Sequence, residues 1–363
     1  MSTPCPAPRA ADARAQRRAA LTLLTVLMRV IAATAIGCGW PSGLAGRSDD
    51  SGSASGAPPA GSTRLFVLPE DGSHALVDAI TTAKVRVWSE MYLLTDPGAI
   101  GALVAAHARG AEVRVLLEPS PYGAATANQD PFTTLAAAGI DVRWFTVPEG
   151  LVHAKVVLVD DEAWISTANL TTAGLTYNRE LVARDAEPAD VRRIEAQWLS
   201  DAVGAPTPEA SPGGNDRPAS RVLVAPFDAR PRLAAAVEAA RGSVALEVEE
   251  LSDTDFAGQL IAARARGVGV KVVLPALADR SAATSATAER LAAAGIDVRA
   301  TGGPPLHAKA VAIDDAVGYL GSVNFTRASF DDNREFGLLL ADPGAVGRIR
   351  DTIGHDAATG TSL

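Results

Sequence analysis

A chain of 363 residues with 47% hydrophobic side chains has the material for two ordinary domains, or for one pair of related domains of about 150 residues each. Its net charge of -9 excludes a surface that is basic all over, so broad affinity for nucleic acid or anionic membrane is not expected, while a local positive groove stays compatible with it. The two cysteines, Cys5 and Cys38, both precede the segments with regular periodicity. That excludes a disulfide framework or a cysteine-rich zinc site from the folded region.

Residues 1–38 read as a signal peptide or N-terminal anchor. Arg9, Arg14, Arg17 and Arg18 precede the apolar run Ala19–Met28, and apolar character resumes after Arg29 as far as Cys38. Ala35-Ile-Gly-Cys38 is similar to a bacterial lipobox, which makes Cys38 a candidate for lipidation, and Arg17-Arg18 permits a twin-arginine reading. The expectation is an exported protein, extracellular or anchored to the outer face of the bacterial cell membrane. Residues 39–63, mostly Gly, Ser, Ala, Pro and Asp, read as a flexible tether.

The periodic region opens with the strand candidate Arg64–Leu68, followed by a helical pattern around Ala75–Ala83. Val85–Trp88 alternates as a strand does, and Ile100–Arg109 has helical spacing that stops at Gly110, a suitable C-cap. Glu112–Leu117 is the next strand, and Leu135–Arg143 is a helix end running into another. Strands alternating with helices imply an α/β fold with a largely parallel or mixed sheet flanked by helices. Residues 202–220, with four prolines and three glycines, read as a linker between a first half, 64–201, and a second, 221–363.

The second half repeats the first. Arg221-Val-Leu-Val-Ala225 matches Arg64-Leu-Phe-Val-Leu68, and Leu291–Arg299 repeats Leu135–Arg143 residue for residue. A period of about 155 residues is too long for a solenoid and indicates a duplicated domain.

The chemistry concentrates where the repeat is richest. Leu151-Val-His-Ala-Lys-Val-Val-Leu-Val-Asp160 recurs as Leu306-His-Ala-Lys-Ala-Val-Ala-Ile-Asp314. His153 and Lys155, like His307 and Lys309, lie two apart and in a strand would share a face. Imidazole and ammonium side by side are costly in a core but suited to binding and transferring a phosphate. Asp160 and Asp314 fall on the opposite face near the strand end, where pairing or capping at the turn is expected rather than chemistry. Ser166-Thr-Ala-Asn169 and Gly321-Ser-Val-Asn324 supply hydroxyl and amide groups after the return strand, and Glu180 and Glu335 lie eleven residues beyond the Asn residues. A carboxylate there can hold the Nδ1 proton of an imidazole.

These residues resemble the phospholipase D superfamily, whose signature reads His-x-Lys-x4-Asp-x6-Gly-Ser-x-Asn. The second copy fits it at every specified position. The first is one residue shorter between Asp160 and Asn169 and has Ser166-Thr167 in place of Gly-Ser. The resemblance implies two pseudo-symmetric phospholipase D-like halves, each a mixed β-sheet flanked by helices, with one active site at their interface. It implies a covalent phosphohistidine, no metal and no cofactor. His153 is then the nucleophile and His307 the acid, while Lys155, Lys309, Asn169 and Asn324 hold the non-bridging oxygens, with Thr167 and Ser322 beside the substrate. Glu180 and Glu335 orient the histidines.

Hydrolysis of a phospholipid headgroup by a monomer at a membrane surface is the first reading of this site. Transfer of a phosphatidyl group to an alcohol, as in relatives of cardiolipin synthase, comes second. A phosphodiester-cleaving nuclease comes third, disfavoured by the acidic balance and few aromatics, and an inactive phosphate- or lipid-binding module is the reading from another class. Arg179 and Arg334 are expected to form salt bridges rather than touch phosphate. Glu90 and Glu249 look like equivalent strand-end residues with a solvated or capping role, and Trp88, Trp144, Trp164 and Trp198 like packing.

Overall fold

A computed structural model of the chain describes residues 63–146, 150–205 and 219–363. Residues 1–38, read as a signal peptide or anchor and including Cys38, the tether as far as residue 62, and linker residues 206–218 lie outside the described residues.

The first half supplies strands β1 (Thr63–Leu68), β2 (Arg86–Met91), β3 (Glu112–Leu117), β4 (Asp141–Trp144), β5 (Lys155–Val159), β6 (Glu162–Ser166) and β7 (Glu180–Asp185). They form one sheet in the order β1-β7-β6-β5-β2-β3-β4. β2, β3 and β4 are parallel, which requires crossovers, and the helices Pro97–Ala108 and Gln129–Ala137 provide them. β5, β6 and β7 form an antiparallel meander, and β1 closes its edge.

The second half repeats this with β8 (Val222–Ala225), β9 (Ser243–Val248), β10 (Gly269–Leu274), β11 (Asp297–Ala300), β12 (Lys309–Ile313), β13 (Val317–Gly321) and β14 (Glu335–Leu340), and β15 (Thr361–Ser362) adds a short edge strand. The order is β15-β11-β10-β9-β12-β13-β14-β8. Two mixed sheets flanked by helices, related by the repeat, agree with the expected class.

The central strands read as unbroken apolar runs because both of their faces are buried. In β5, Val156 and Leu158 point into a core shared by the two halves, while Val157 and Val159 face the first half's own helices. In β12, Ala310 and Ala312 enter the shared core, and Val311 and Ile313 face the second half's helices. Trp198, on the helix Pro188–Asp201, fills the shared core against Trp88, ring centroids 4.9 Å apart. Buried Trp164 stacks on Phe66, and half-buried Trp144 stacks on Phe132 at the edge of the first half's core, so both serve packing as expected.

Charged groups also cross between the halves. Arg179, 2% exposed, donates from Nε to Asp356 Oδ2 at 2.6 Å and from Nη2 to Asp356 Oδ1 at 3.1 Å, with Glu247 at 3.8 Å. Its counterpart Arg334 meets Asp201, Nε to Oδ2, at 3.0 Å. The two arginines therefore form salt bridges, each with an acid of the opposite half.

Candidate active site

Each motif Lys opens its strand, Lys155 in β5 and Lys309 in β12. The His two residues earlier lies outside the strand, which corrects the reading of both side chains as strand neighbours. The reason is a change of partner. Before β5 the chain leaves its own sheet and bridges to the other half, Val152 lying parallel to Arg334. His153 N donates to Arg334 O at 2.9 Å and Arg334 N to Leu151 O at 2.9 Å. The same bridge forms between Leu306 and Arg179, with Arg179 N donating to Pro305 O at 2.9 Å and His307 N to Arg179 O at 3.3 Å.

Because Glu180 and Glu335 directly follow these arginines, each bridge sets the Glu of one half against the His of the other. His153 Nδ1 lies 2.9 Å from Glu335 Oε2 and 3.2 Å from Ser322 O. Both neighbours are acceptors, so Nδ1 carries the proton, and in the neutral ring the lone pair is at Nε2. His307 Nδ1 approaches Glu180 Oε1 at 2.7 Å, an ion-pair approach rather than an aligned hydrogen bond. Burial lowers the pKa of His153, with Glu335 opposing and Lys155 adding to the shift, which favours the neutral imidazole. Tyr92 packs edge-on against the His153 ring, centroids 4.7 Å apart.

Both ammonium groups fold back on their motif. Lys155 Nζ donates to His153 O at 2.8 Å, and Lys309 Nζ to His307 O at 2.7 Å. Lys155 is 1% exposed, and burial, then the charge of Lys309, lowers its pKa to about 7. The two motifs thus converge closely enough for their charges to repel. The amide oxygens of Asn169 and Asn324 are buried without a hydrogen-bond partner.

Thr167 and Ser322, expected beside the substrate, are fully buried, and their hydroxyls are used inside the fold. Thr167 Oγ1 donates to Glu180 Oε2 and accepts from Leu181 N at 2.9 Å. Ser322 Oγ accepts from Phe336 N at 3.0 Å and donates to Phe336 O at 3.2 Å. These bonds tie both residues to the strands that carry Glu180 and Glu335. Asp160 accepts from the backbone N–H groups of Lys84, Val85 and Arg86, and Asp314 from those of Arg241, Gly242 and Ser243. They tie the β5 and β12 turns to β2 and β9, the structural place expected of them. Both have positive φ, 51° and 52°, a region Asp tolerates better than most residues.

The missing residue of the first motif falls in this turn. Val159 pairs with Glu162 across a two-residue loop, and Ile313 with Val317 across three. The Gly-to-Ser change is also local. A Cβ on Gly321 would meet the Cα of Gly337 at 2.5 Å, under the Tyr319 hydroxyl, whereas Ser166 pairs with Val182 and accepts from Ala168 N at 2.7 Å.

The bonds of Asp160 and Asp314 also fix the repeat register, aligning Arg86 with Ser243, Glu90 with Glu247 and Tyr92 with Glu249. Glu90 and Glu249 are therefore not equivalents. Glu90 and Glu247 are fully buried, where burial and then a neighbouring acid, Asp201 or Asp356, push their carboxyls well above the usual range. Glu249 instead reaches the site, with Oε2 2.7 Å from Lys309 Nζ and 3.5 Å from His307 Nε2. Tyr92 and Glu249 are the site residues the sequence reading missed, and aligning the repeat on its aspartates would have paired them. Among the described residues no group of three or more His, Cys, Asp or Glu side chains is arranged to hold a metal ion.

The family model described as "Cardiolipin synthase, PLD-like domain" matches residues 76–201 and again 233–357. The chain belongs to the PLD-like family. Among curated PLD-like relatives, cardiolipin synthase A of Pseudomonas fluorescens (strain SBW25) is 32% identical over 134 residues, 36% of this chain and 28% of that protein. The chain thus matches less than a third of that relative's length. Two solved structures share the fold: a phosphatidylserine synthase from Haemophilus influenzae (14% identity, TM-score 0.63, 83% of this chain and 87% of that one) and a polyphosphate kinase from Porphyromonas gingivalis (17%, 0.64, 83% and 49%). No helix among the described residues is long and apolar enough to cross a membrane.

Proposed function

We propose that the protein is a phosphatidyltransferase that moves the phosphatidyl group of one phospholipid to the hydroxyl of an acceptor alcohol through a covalent phosphohistidine. The observation that carries the reading is the crossed pairing, which brings two His-Lys pairs to one place with a carboxylate behind each imidazole. Hydrolysis comes first in the sequence alone. The family match and the cardiolipin synthase relatives support transfer ahead of it.

In this reading His153 Nε2 attacks phosphorus, and an N–P bond forms as the bond to the departing alcohol breaks. Its depressed pKa supports the nucleophile's role, because the neutral ring offers a lone pair. His307 gives its proton to the departing oxygen. The acceptor alcohol then returns a proton to His307 as its oxygen attacks phosphorus, the N–P bond breaks and His153 is regenerated. Lys155, Lys309, Asn169 and Asn324 hold the non-bridging oxygens as their charge redistributes.

The test is incubation of the full chain with phosphatidylglycerol vesicles, with and without EDTA, beside His153→Ala and His307→Ala. Cardiolipin and free glycerol in equal amounts, abolished in both variants, is the expected result. Phosphatidic acid without cardiolipin would restore hydrolysis, and cleavage of single-stranded DNA without lipid turnover would replace both readings with a nuclease. Loss of turnover on chelation would refute the metal-free route.

A further inference from the structure

Repeat symmetry breaks at one position beside the two motifs. In the first half that position is Tyr92, whose hydroxyl accepts from Tyr122 N at 2.7 Å and whose ring lies 5.1 Å below Lys155 Nζ. Lys155 thus faces an aromatic surface. In the second half the position is Glu249, whose carboxylate takes a hydrogen bond from Lys309 Nζ and lies beside His307 Nε2. Two ammonium groups aimed at one phosphate are therefore unequal, because one already has an anion.

We propose that Glu249 is the resident counter-ion of the phosphoryl site, holding Lys309 until the phosphate of a substrate displaces it. The inference rests on the phosphodiester reading above and adds a competitor to it. Carboxylate and phosphate oxygens accept the same charge-assisted hydrogen bonds, so Glu249 and a non-bridging oxygen seek the same Lys309 proton. Exposure decides which partner moves. The Lys309 side chain is 0% exposed and opens β12, whereas the Glu249 side chain is 32% exposed. Glu249 is tethered at its own backbone, N to Ala308 O at 3.0 Å, so only its side chain needs to swing toward solvent. Burial opposes its charge, but His307 and Lys309 outweigh burial and keep its carboxyl well below the usual range, so it stays anionic near neutral pH.

The consequence is selective. An incoming phosphate gains Lys309 only by breaking an existing ion pair, so free phosphate and phosphomonoester products are held weakly. A lipid phosphodiester has acyl and headgroup contacts to offset the displacement. The second half's Glu249 thereby keeps the site from filling with small anions.

Inorganic phosphate is the probe, titrated calorimetrically at pH 8 and low ionic strength into the full chain as wild type, Glu249→Gln and Glu249→Tyr. The tyrosine variant installs the residue matched in the other half. Both variants should bind phosphate about tenfold more tightly than wild type, a difference of roughly 1.4 kcal/mol. Thermal midpoints are measured alongside, and phosphatidylglycerol turnover by the wild type provides the control on function. Turnover with phosphate affinity unmoved in both substitutions overturns the counter-ion while leaving the site reading intact. Absence of turnover and of phosphate binding in all three proteins overturns both.

Discussion

Arg179→Met removes a cation that lies between the halves without touching the reacting groups. Three terms set the cost. The Arg179–Asp356 pair is buried on both sides, 2% and 1% exposed, and breaking such a pair from one side costs about 3–5 kcal/mol. The carbonyl of Leu68 loses its 2.8 Å donor, a smaller term, and Glu70, 54% exposed, rehydrates at little cost. Glu247 supplies relief, since burial and the neighbouring Asp356 already favour its neutral form, and losing Arg179 favours it further. A group with a raised folded pKa contributes stability that is complete below its unfolded pKa and is lost as pH rises through the folded value. The deficit should therefore be greatest at pH 8, about 3–5 kcal/mol, and narrow toward pH 5. Calorimetric midpoints should fall by roughly 5–8 °C at pH 8, at roughly 1.6 °C per kcal/mol for a protein of this size. Urea unfolding followed by circular dichroism checks the free energy. A deficit below about 1 kcal/mol at pH 8, or one that grows on acidification, would refute the reasoning.

Crossed pairing makes Glu180→Gln perturb the imidazole NMR signals of His307 and leave those of His153, with Glu335→Gln doing the reverse, and each should lower turnover by about 10²–10⁴-fold; perturbation of the same-half histidine would be fatal to the pairing. Asp314→Ala loses the acceptor for three backbone N–H groups and leaves alanine at φ 52°, so chemical denaturation at pH 7 should show a loss of about 2 kcal/mol. Burial comes first in raising Asp185 and Asp201 to about 6, against the opposing charges of Arg221 and Arg334. Their contribution is present below the ordinary Asp pKa and lost as pH rises through about 6, so the thermal midpoint of the wild type should rise as pH is lowered from about 8 to about 5. A midpoint that falls over that range counts against this assignment.

What was legible in the sequence was what repeats locally. His153, Lys155, Asn169 and Glu180, and their partners from His307 to Glu335, stand out because the same offsets occur twice, and the strand–helix alternation follows from side-chain periodicity. The crossed pairing was not legible, because it depends on Val152 lying beside Arg334 and Leu306 beside Arg179, contacts between residues far apart in the chain. The same cause hid the loss of strand geometry at the histidines, where hydrogen bonds to the opposite half replace the ladder. Glu90 was matched to the wrong partner because Glu247-Val-Glu-Glu250 offers three glutamates near one strand end, and only the bonds of Asp314 select among them.

On the proposed function, the exchange of glutamates between halves makes assembly itself a condition of reactivity. A half folded on its own would carry a complete motif, yet its imidazole would lack the carboxylate that fixes the proton on Nδ1. The uncomplemented His would turn freely between tautomers, a poor nucleophile for any phosphate it met. On the proposed reading, phosphoryl chemistry would be withheld from partly folded chains, and activity would report that both bridges, Val152 to Arg334 and Leu306 to Arg179, have closed.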